Sequence, residues 1–131
     1  MVTARSLAPR QKLALAFVFV WFFVGGIVHF VFTQAEMRIV PPVIPWPFAA
    51  VIATGILELV GAAGLVFAST RPYAAFSLAA LTLAVTPANV YMLQQAGQFP
   101  ALPYWALVVR LPLQVLLLAL IIWIARWPRR A

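Results

Sequence analysis

Four apolar runs divide the chain, at residues 13–32, 48–68, 73–93 and 104–124. Each is close to the ~20 residues that an α-helix needs to cross the hydrocarbon core of a bilayer. The segments between them are short and rich in turn residues. Pro41, Pro42, Pro45 and Pro47 break the first connection, Ser69-Thr70-Arg71-Pro72 makes a tight second one, and Gly97, Pro100 and Pro103 fall in the third. Proline is unfavourable inside a helix and suits its first turn. The pattern predicts an all-α protein, an integral-membrane four-helix bundle forming a single domain over 1–131. Pro87 should kink the third helix near its end. The first helix could run past its apolar stretch as far as Arg38.

Composition agrees with that pattern. The chain is 66% hydrophobic and 8% charged, with mean hydropathy +1.05. Soluble domains run at roughly 25% charged residues. The run at 13–32 is longer than the ~7–15 residues of a signal-peptide core, and Thr33-Gln34-Ala35 is a weak cleavage signal. An uncleaved first helix is expected.

The net charge of +7 could suggest nucleic acid, but its distribution does not. Arg5, Arg10, Lys12, Arg71, Arg126, Arg129 and Arg130 flank the apolar runs on one side, and the two opposite loops carry only Arg38. Basic residues concentrate in cytoplasmic loops. The reading is a multi-pass protein of the cell membrane (the inner membrane in a bacterium), with N and C termini cytoplasmic and no nucleic-acid partner. There is no cysteine, so disulfides and thiolate chemistry are excluded within this chain. One histidine and two carboxylates make a poor transition-metal shell, and no metal site is expected.

The polar residues inside the spans carry the functional signal. Glu58 lies near the middle of the second run, and an ionisable residue at that depth marks a functional site by default. At a rise of ~1.5 Å per residue, Glu58 and Gln114 both lie about 15 Å from the outer ends of their helices and Arg110 about 9 Å. Arg110 and Gln114 share a face, as do Thr54 and Glu58. His29 and Asn89 sit near the outer ends of the first and third runs. The polar residues are therefore matched in depth, in the outer half. The predicted ligand-binding set is Glu58, Arg110, Gln114, Asn89, His29 and Thr54. Glu58 and Arg110 are the natural charge pair, since each needs an opposite charge. Apolar packing from 115–122 would close the pocket on the cytoplasmic side. Each residue also has an ordinary structural reading. Thr54, Thr82 and Thr86 are expected to bond their own i−4 carbonyls, Asn89 and Gln114 to join helices, and Glu36 to pair with Arg38.

Gly25-Gly26 with His29-Phe30, then Glu58-Leu59-Val60-Gly61-Ala62-Ala63-Gly64-Leu65, Arg71-Pro72, Pro87-Ala88-Asn89 and Arg110-Leu111-Pro112-Leu113-Gln114, with Trp123, together resemble the DoxX-like family of small four-helix membrane proteins. The resemblance covers about residues 13–127. It implies an association with membrane oxidoreductase systems, as a redox-complex subunit, and leaves the cofactor open, with a quinone among the candidates.

Three readings of function follow. The first is a binding module that holds a small amphiphilic or quinone-like molecule. The second is an isomerase-like enzyme doing acid/base chemistry on a lipid-soluble substrate, with Glu58 as acid or His29 and Glu36 as base. The third is a structural bundle with no ligand. Partners on these readings are the bilayer, a lipid-soluble ligand and, through the glycines of the second span, a second copy of the chain. Geometry separates them: a structural pair would set Glu58 directly on Arg110, whereas a reactive pocket would bring His29 or Glu36 to the space beside Glu58.

Overall fold

The computed structural model describes residues 6–100 and 103–127; Arg5, Arg129, Arg130 and the loop positions 101–102 lie outside them. The described residues are helical with no strand. α1 spans Pro9–Val31, α2 Thr33–Arg38, α3 Pro47–Val66, α4 Arg71–Ala84, α5 Thr86–Gln94 and α6 Tyr104–Ala125, with a 3-10 turn at Ala96–Gln98. α1, α3, α6 and the combined α4–α5 segment, Arg71–Gln94, are each long and apolar enough to cross a membrane.

Proline marks most of the helix starts. Pro9 and Pro47 occupy the first positions of α1 and α3, Pro72 and Pro87 the first turns of α4 and α5, and Pro103 the residue before α6. The first-turn amides have no intrahelical acceptor, so a missing N–H is not felt there. Pro9 accordingly starts α1 four residues before the apolar run begins. Pro112 alone among the described prolines lies within a helix.

Two expected continuous helices are broken. The third span divides at Val85, because Pro87 has no N–H for the Leu83 carbonyl and its ring crowds that carbonyl. The chain restarts as α5 with the Asn89 amide on the Val85 carbonyl at 3.3 Å. The first span likewise divides at Phe32 (φ −113°, ψ 42°). Thr33 Oγ1 donates to the carbonyls of His29 and Phe30 at 2.8 and 3.1 Å, and α2 then packs against α3.

The spans form a ring in which α1 packs on α3, α3 on α4, α4 on α6 and α6 back on α1. α3 and α6 therefore stand diagonally opposite. At the end where α1 begins, Val18, Phe22, Leu65, Leu78, Leu117, Ile121 and Ile124 form a buried apolar core. The side chains of Leu117 and Ile121 realise the closure expected from the run at 115–122. A smaller cluster of Ile39, Met92 and Leu107 lies at the opposite, loop end. At the first end, Arg71 Nε donates to the Leu65 carbonyl at 2.9 Å and capping-turn Thr70 Oγ1 to that of Gly64 at 2.7 Å. These satisfy carbonyls left open where α3 ends. The Arg71 guanidinium also lies over the Trp127 ring, 5.9 Å from its centre, an aromatic and basic anchor of the kind found at membrane interfaces.

The closest helix contact joins α1 to α3. A Cβ built on Gly26 would lie 3.1 Å from the Gly55 carbonyl oxygen, and one on Gly55 only 2.8 Å from the His29 Cβ. Small residues at such crossings let backbones meet, and here they set His29 against α3. Gly61 and Gly64 are likewise filled from within the bundle, by Leu78 and Ala74. Gly55→Ala should force α1 from α3 and destabilise the bundle by about 1–3 kcal/mol, read from unfolding in mixed detergent micelles. Gly97→Ala, where an added Cβ meets nothing within 4 Å, should change stability by less than about 0.5 kcal/mol.

Candidate functional site

A cavity of about 500 Å³ opens between the apolar core and the loop-end cluster. Its lining includes His29, Thr54, Glu58, Asn89, Arg110 and Gln114, all six residues of the expected set, together with Glu36 and Thr82. The rest is mostly apolar, with Trp21, Phe22 and Val28 from α1, Val51 from α3 and Leu117 from α6. Ile39, Val40, Pro41 and Ile44 extend the lining from α2 into the connection that follows.

The charge partner of Glu58 is a correction to the expectation from sequence. Glu58 does not pair with Arg110. Its Oε2 lies 3.7 Å from His29 Nε2, and Glu36 Oε2 lies 3.7 Å from the same nitrogen. These His–carboxylate contacts become ion pairs when the imidazole is protonated. The reason is the order of helices around the ring. α3 and α6 match in depth but stand diagonally, with the cavity between them, whereas α1 is pressed onto α3 by its glycines. Glu36 accordingly turns to His29. Arg110 reaches the Met92 thioether, Nη1 to Sδ 3.5 Å, which is a weak acceptor.

The imidazole is held from behind. His29 Nδ1 is 2.8 Å from the Val51 carbonyl oxygen and 3.0 Å from Thr54 Oγ1. A carbonyl only accepts, so Nδ1 carries a proton. Thr54 in turn donates to the Ala50 carbonyl at 2.8 Å, leaving its oxygen lone pairs toward the ring. Nε2 is thereby the atom free to gain and lose a proton, and both carboxylates face it. The side chains are partly shielded, His29 at 13% exposure, Glu58 at 12% and Glu36 at 23%. Glu58 Oε2 is buried with no hydrogen-bond partner among the described residues. Gly25 makes room for this oxygen, since a Cβ there would approach it to 3.1 Å.

The other wall is a hydrogen-bonded chain. Asn89 Nδ2 donates to Gln114 Oε1, and Gln114 Nε2 donates to Thr86 Oγ1. Thr86 Oγ1 donates to the Thr82 carbonyl at 3.0 Å, and Thr82 Oγ1 to that of Leu78 at 2.7 Å. Thr54, Thr82 and Thr86 thus all bond their i−4 carbonyls, and Asn89 and Gln114 join α5 to α6. This chain holds the short α5 in place beyond the break at Val85. Sequence spacing did not single out Glu36 and Met92 as neighbours of His29 and Arg110 with equal clarity: the seven-residue step from His29 to Glu36 was visible, whereas Met92 had no polar signal.

The sequence profile of one family matches residues 15–126. The chain belongs to that family, Domain of unknown function (DUF8561). The DUF8561 match includes every residue that lines the cavity. No curated protein and no solved structure matches the chain.

Gln114→Leu should break the α5–α6 chain at two hydrogen bonds and destabilise the bundle by about 1 kcal/mol. Adding Asn89→Leu on that background should cost less than it does alone, as expected for residues that share a bond. A double-mutant cycle of unfolding free energies checks both.

Proposed function

We propose that the cavity binds a small amphiphilic, quinone-like molecule, with its polar head between the His29–Glu58 wall and the Arg110 wall. The observation that carries this reading is Arg110 itself. A guanidinium offers five N–H donors, and Arg110, although an exposed residue, is directed at a polar cavity as such residues in apolar proteins often are. Here it lines a cavity and has a thioether for its nearest recorded acceptor among the described residues. An oxygen on a bound molecule would complete it. The volume is within the ~300–1,000 Å³ of small-molecule sites, and so is the composition, a mostly apolar lining with a few converging polar groups. Two facing polar walls suit a head with oxygens on opposite sides, as a quinone has.

The resemblance to the DoxX-like family supports a role as a subunit of a membrane oxidoreductase system, in which partner proteins would supply the electrons. A second reading, acid/base chemistry of the isomerase type on a lipid-soluble substrate, is favoured by one specific observation, the imidazole between two carboxylates. The orientation we infer has the basic end, with Arg10, Lys12, Arg71 and Arg126, in the cytoplasm and the cavity on the opposite side.

Native mass spectrometry of the protein purified in mild detergent should find one co-purifying small molecule per chain. Arg110→Met should weaken its binding about tenfold, the worth of one charge-assisted hydrogen bond, and leave the unfolding midpoint of the delipidated, ligand-free protein unchanged. A ligand-free wild-type protein would favour the purely structural bundle. Orientation has its own test, helped by the absence of native cysteine. Gln98→Cys should react with a membrane-impermeant maleimide in intact cells, and Ser69→Cys only after lysis; the reverse pattern would invert the topology.

A further inference from the structure

The His29 contacts go beyond ligand binding. Glu36 is on α2 at the loop end, Glu58 is midway along α3, and both face one nitrogen at the same distance of 3.7 Å. The opposite nitrogen is committed to the Val51 carbonyl. An imidazole that ordinarily passes protons does so by taking one on one nitrogen and releasing another from its second. Here that route is closed, and reception and release must both occur at Nε2. No ring flip and no tautomer change is needed.

We propose that His29 relays a proton between Glu58, at the inner side of the cavity, and Glu36, at its loop end, and that the ligand is an amphiphile whose head is a weakly acidic hydroxyl. The ligand part rests on the reading that the cavity is a binding site. The balance is simple. The head-group O–H gives its proton to the Glu58 carboxylate, leaving an oxyanion and a neutral carboxylic acid. Glu58 passes that proton to Nε2, giving an imidazolium with Nδ1–H still on Val51. Nε2–H then gives it to Glu36, restoring neutral His29. Every step is reversible, and no electron is transferred. The 3.7 Å separations must tighten to the ~2.6–3.2 Å of a transferring pair, as resting sites commonly require.

The charges around the relay suit this direction of transfer. α1 supplies His29, α2 Glu36 and α3 Glu58. α6 supplies Arg110, the one further charged side chain that lines the cavity among the described residues. α4 and α5 contribute Thr82 and Asn89 to the lining, and neither titrates. Arg110 is therefore the group placed to hold an oxyanion across the cavity from the carboxylate that generates it. The orphan Glu58 Oε2, 3.7 Å from Nε2, is the atom placed to hand the proton on to His29.

The chain's composition makes the test direct. Glu36 and Glu58 are its only acidic residues and His29 is its only histidine, so the imidazole gives an isolated signal, and the Glu58 carboxyl band is identified by its loss in Glu58→Gln. In nanodiscs without added ligand, a pH jump followed by time-resolved infrared spectroscopy reads protonation of Glu58, and ¹⁵N-labelled histidine reads the two ring nitrogens. Glu36→Gln should slow the Glu58 response at least tenfold, and Glu36→Asp should restore most of it. Nδ1 should stay protonated throughout while Nε2 changes. An unchanged rate in a folded Glu36→Gln protein, or a change at Nδ1, would overturn the relay. A long-chain alkylphenol and its methyl ether, titrated into wild-type protein, test the ligand class. The phenol should bind at least tenfold more tightly. Equal binding of the two would overturn the weak-acid head while leaving the cavity reading in place, and no binding of either alongside a ligand-free purified protein would overturn the cavity reading without touching the relay rate.

Discussion

The hydrogen bond from the His29 ring to the Val51 carbonyl governs what the cavity can do. It fixes which nitrogen holds a proton and which one faces the carboxylates. It exists because α1 and α3 approach closely enough for the ring to reach a backbone oxygen on the neighbouring helix. That approach depends on Gly26 and Gly55, where a single added carbon would collide with the facing helix. A backbone contact between two helices thus becomes a statement about proton chemistry. Thr54 reinforces it: its hydroxyl hydrogen is spent on its own helix, so its oxygen can accept from the same ring nitrogen.

The bundle is built in two unlike halves, and the difference is one of solvation. At the end where α1 begins, apolar side chains fill the space between the helices and the only demand is packing. At the loop end the same four spans carry carboxylates, an imidazole, a guanidinium and amides. Side chains of that kind cannot close on one another without leaving some unpaired, and polar groups buried without partners are costly. The result is a cavity between the main core and the small loop-end cluster. The two helix breaks belong to this half. The division at Phe32 lets α2 bring Glu36 back toward His29, and the division at Val85 frees a short segment whose Asn89 is held by Gln114.

Much of this was legible in the sequence. Four runs of suitable length and prolines at their starts gave the spanning helices, because both signals are local. The gathering of polar residues was legible too: every residue expected to line the pocket does so. The partner of Glu58 was not legible. Depth fixes position along a helix axis but says nothing of the order of helices around the ring. Arg110 and Glu58 lie at comparable depths on diagonal helices, whereas His29, two residues before the end of α1, is on a neighbouring one. The sharpness of the two breaks was also beyond a periodicity argument. A proline at 87 announced a kink, while nothing about Phe32 signalled one.

The separation of Glu58 from Arg110 changes the meaning of both. Paired directly, they would neutralise each other and account for their own presence in an apolar protein. Held apart, each needs another explanation. Glu58 has one in His29, whose Nε2 also faces Glu36, so three titratable side chains meet on that wall. Arg110 has only the soft sulfur of Met92 among the described residues. The two walls are therefore unequal: one can exchange protons, and the other carries a fixed positive charge. On the relay we propose, a molecule lying between them would meet a base on one side and a charge stabiliser on the other, an arrangement suited to changing the protonation of what it holds.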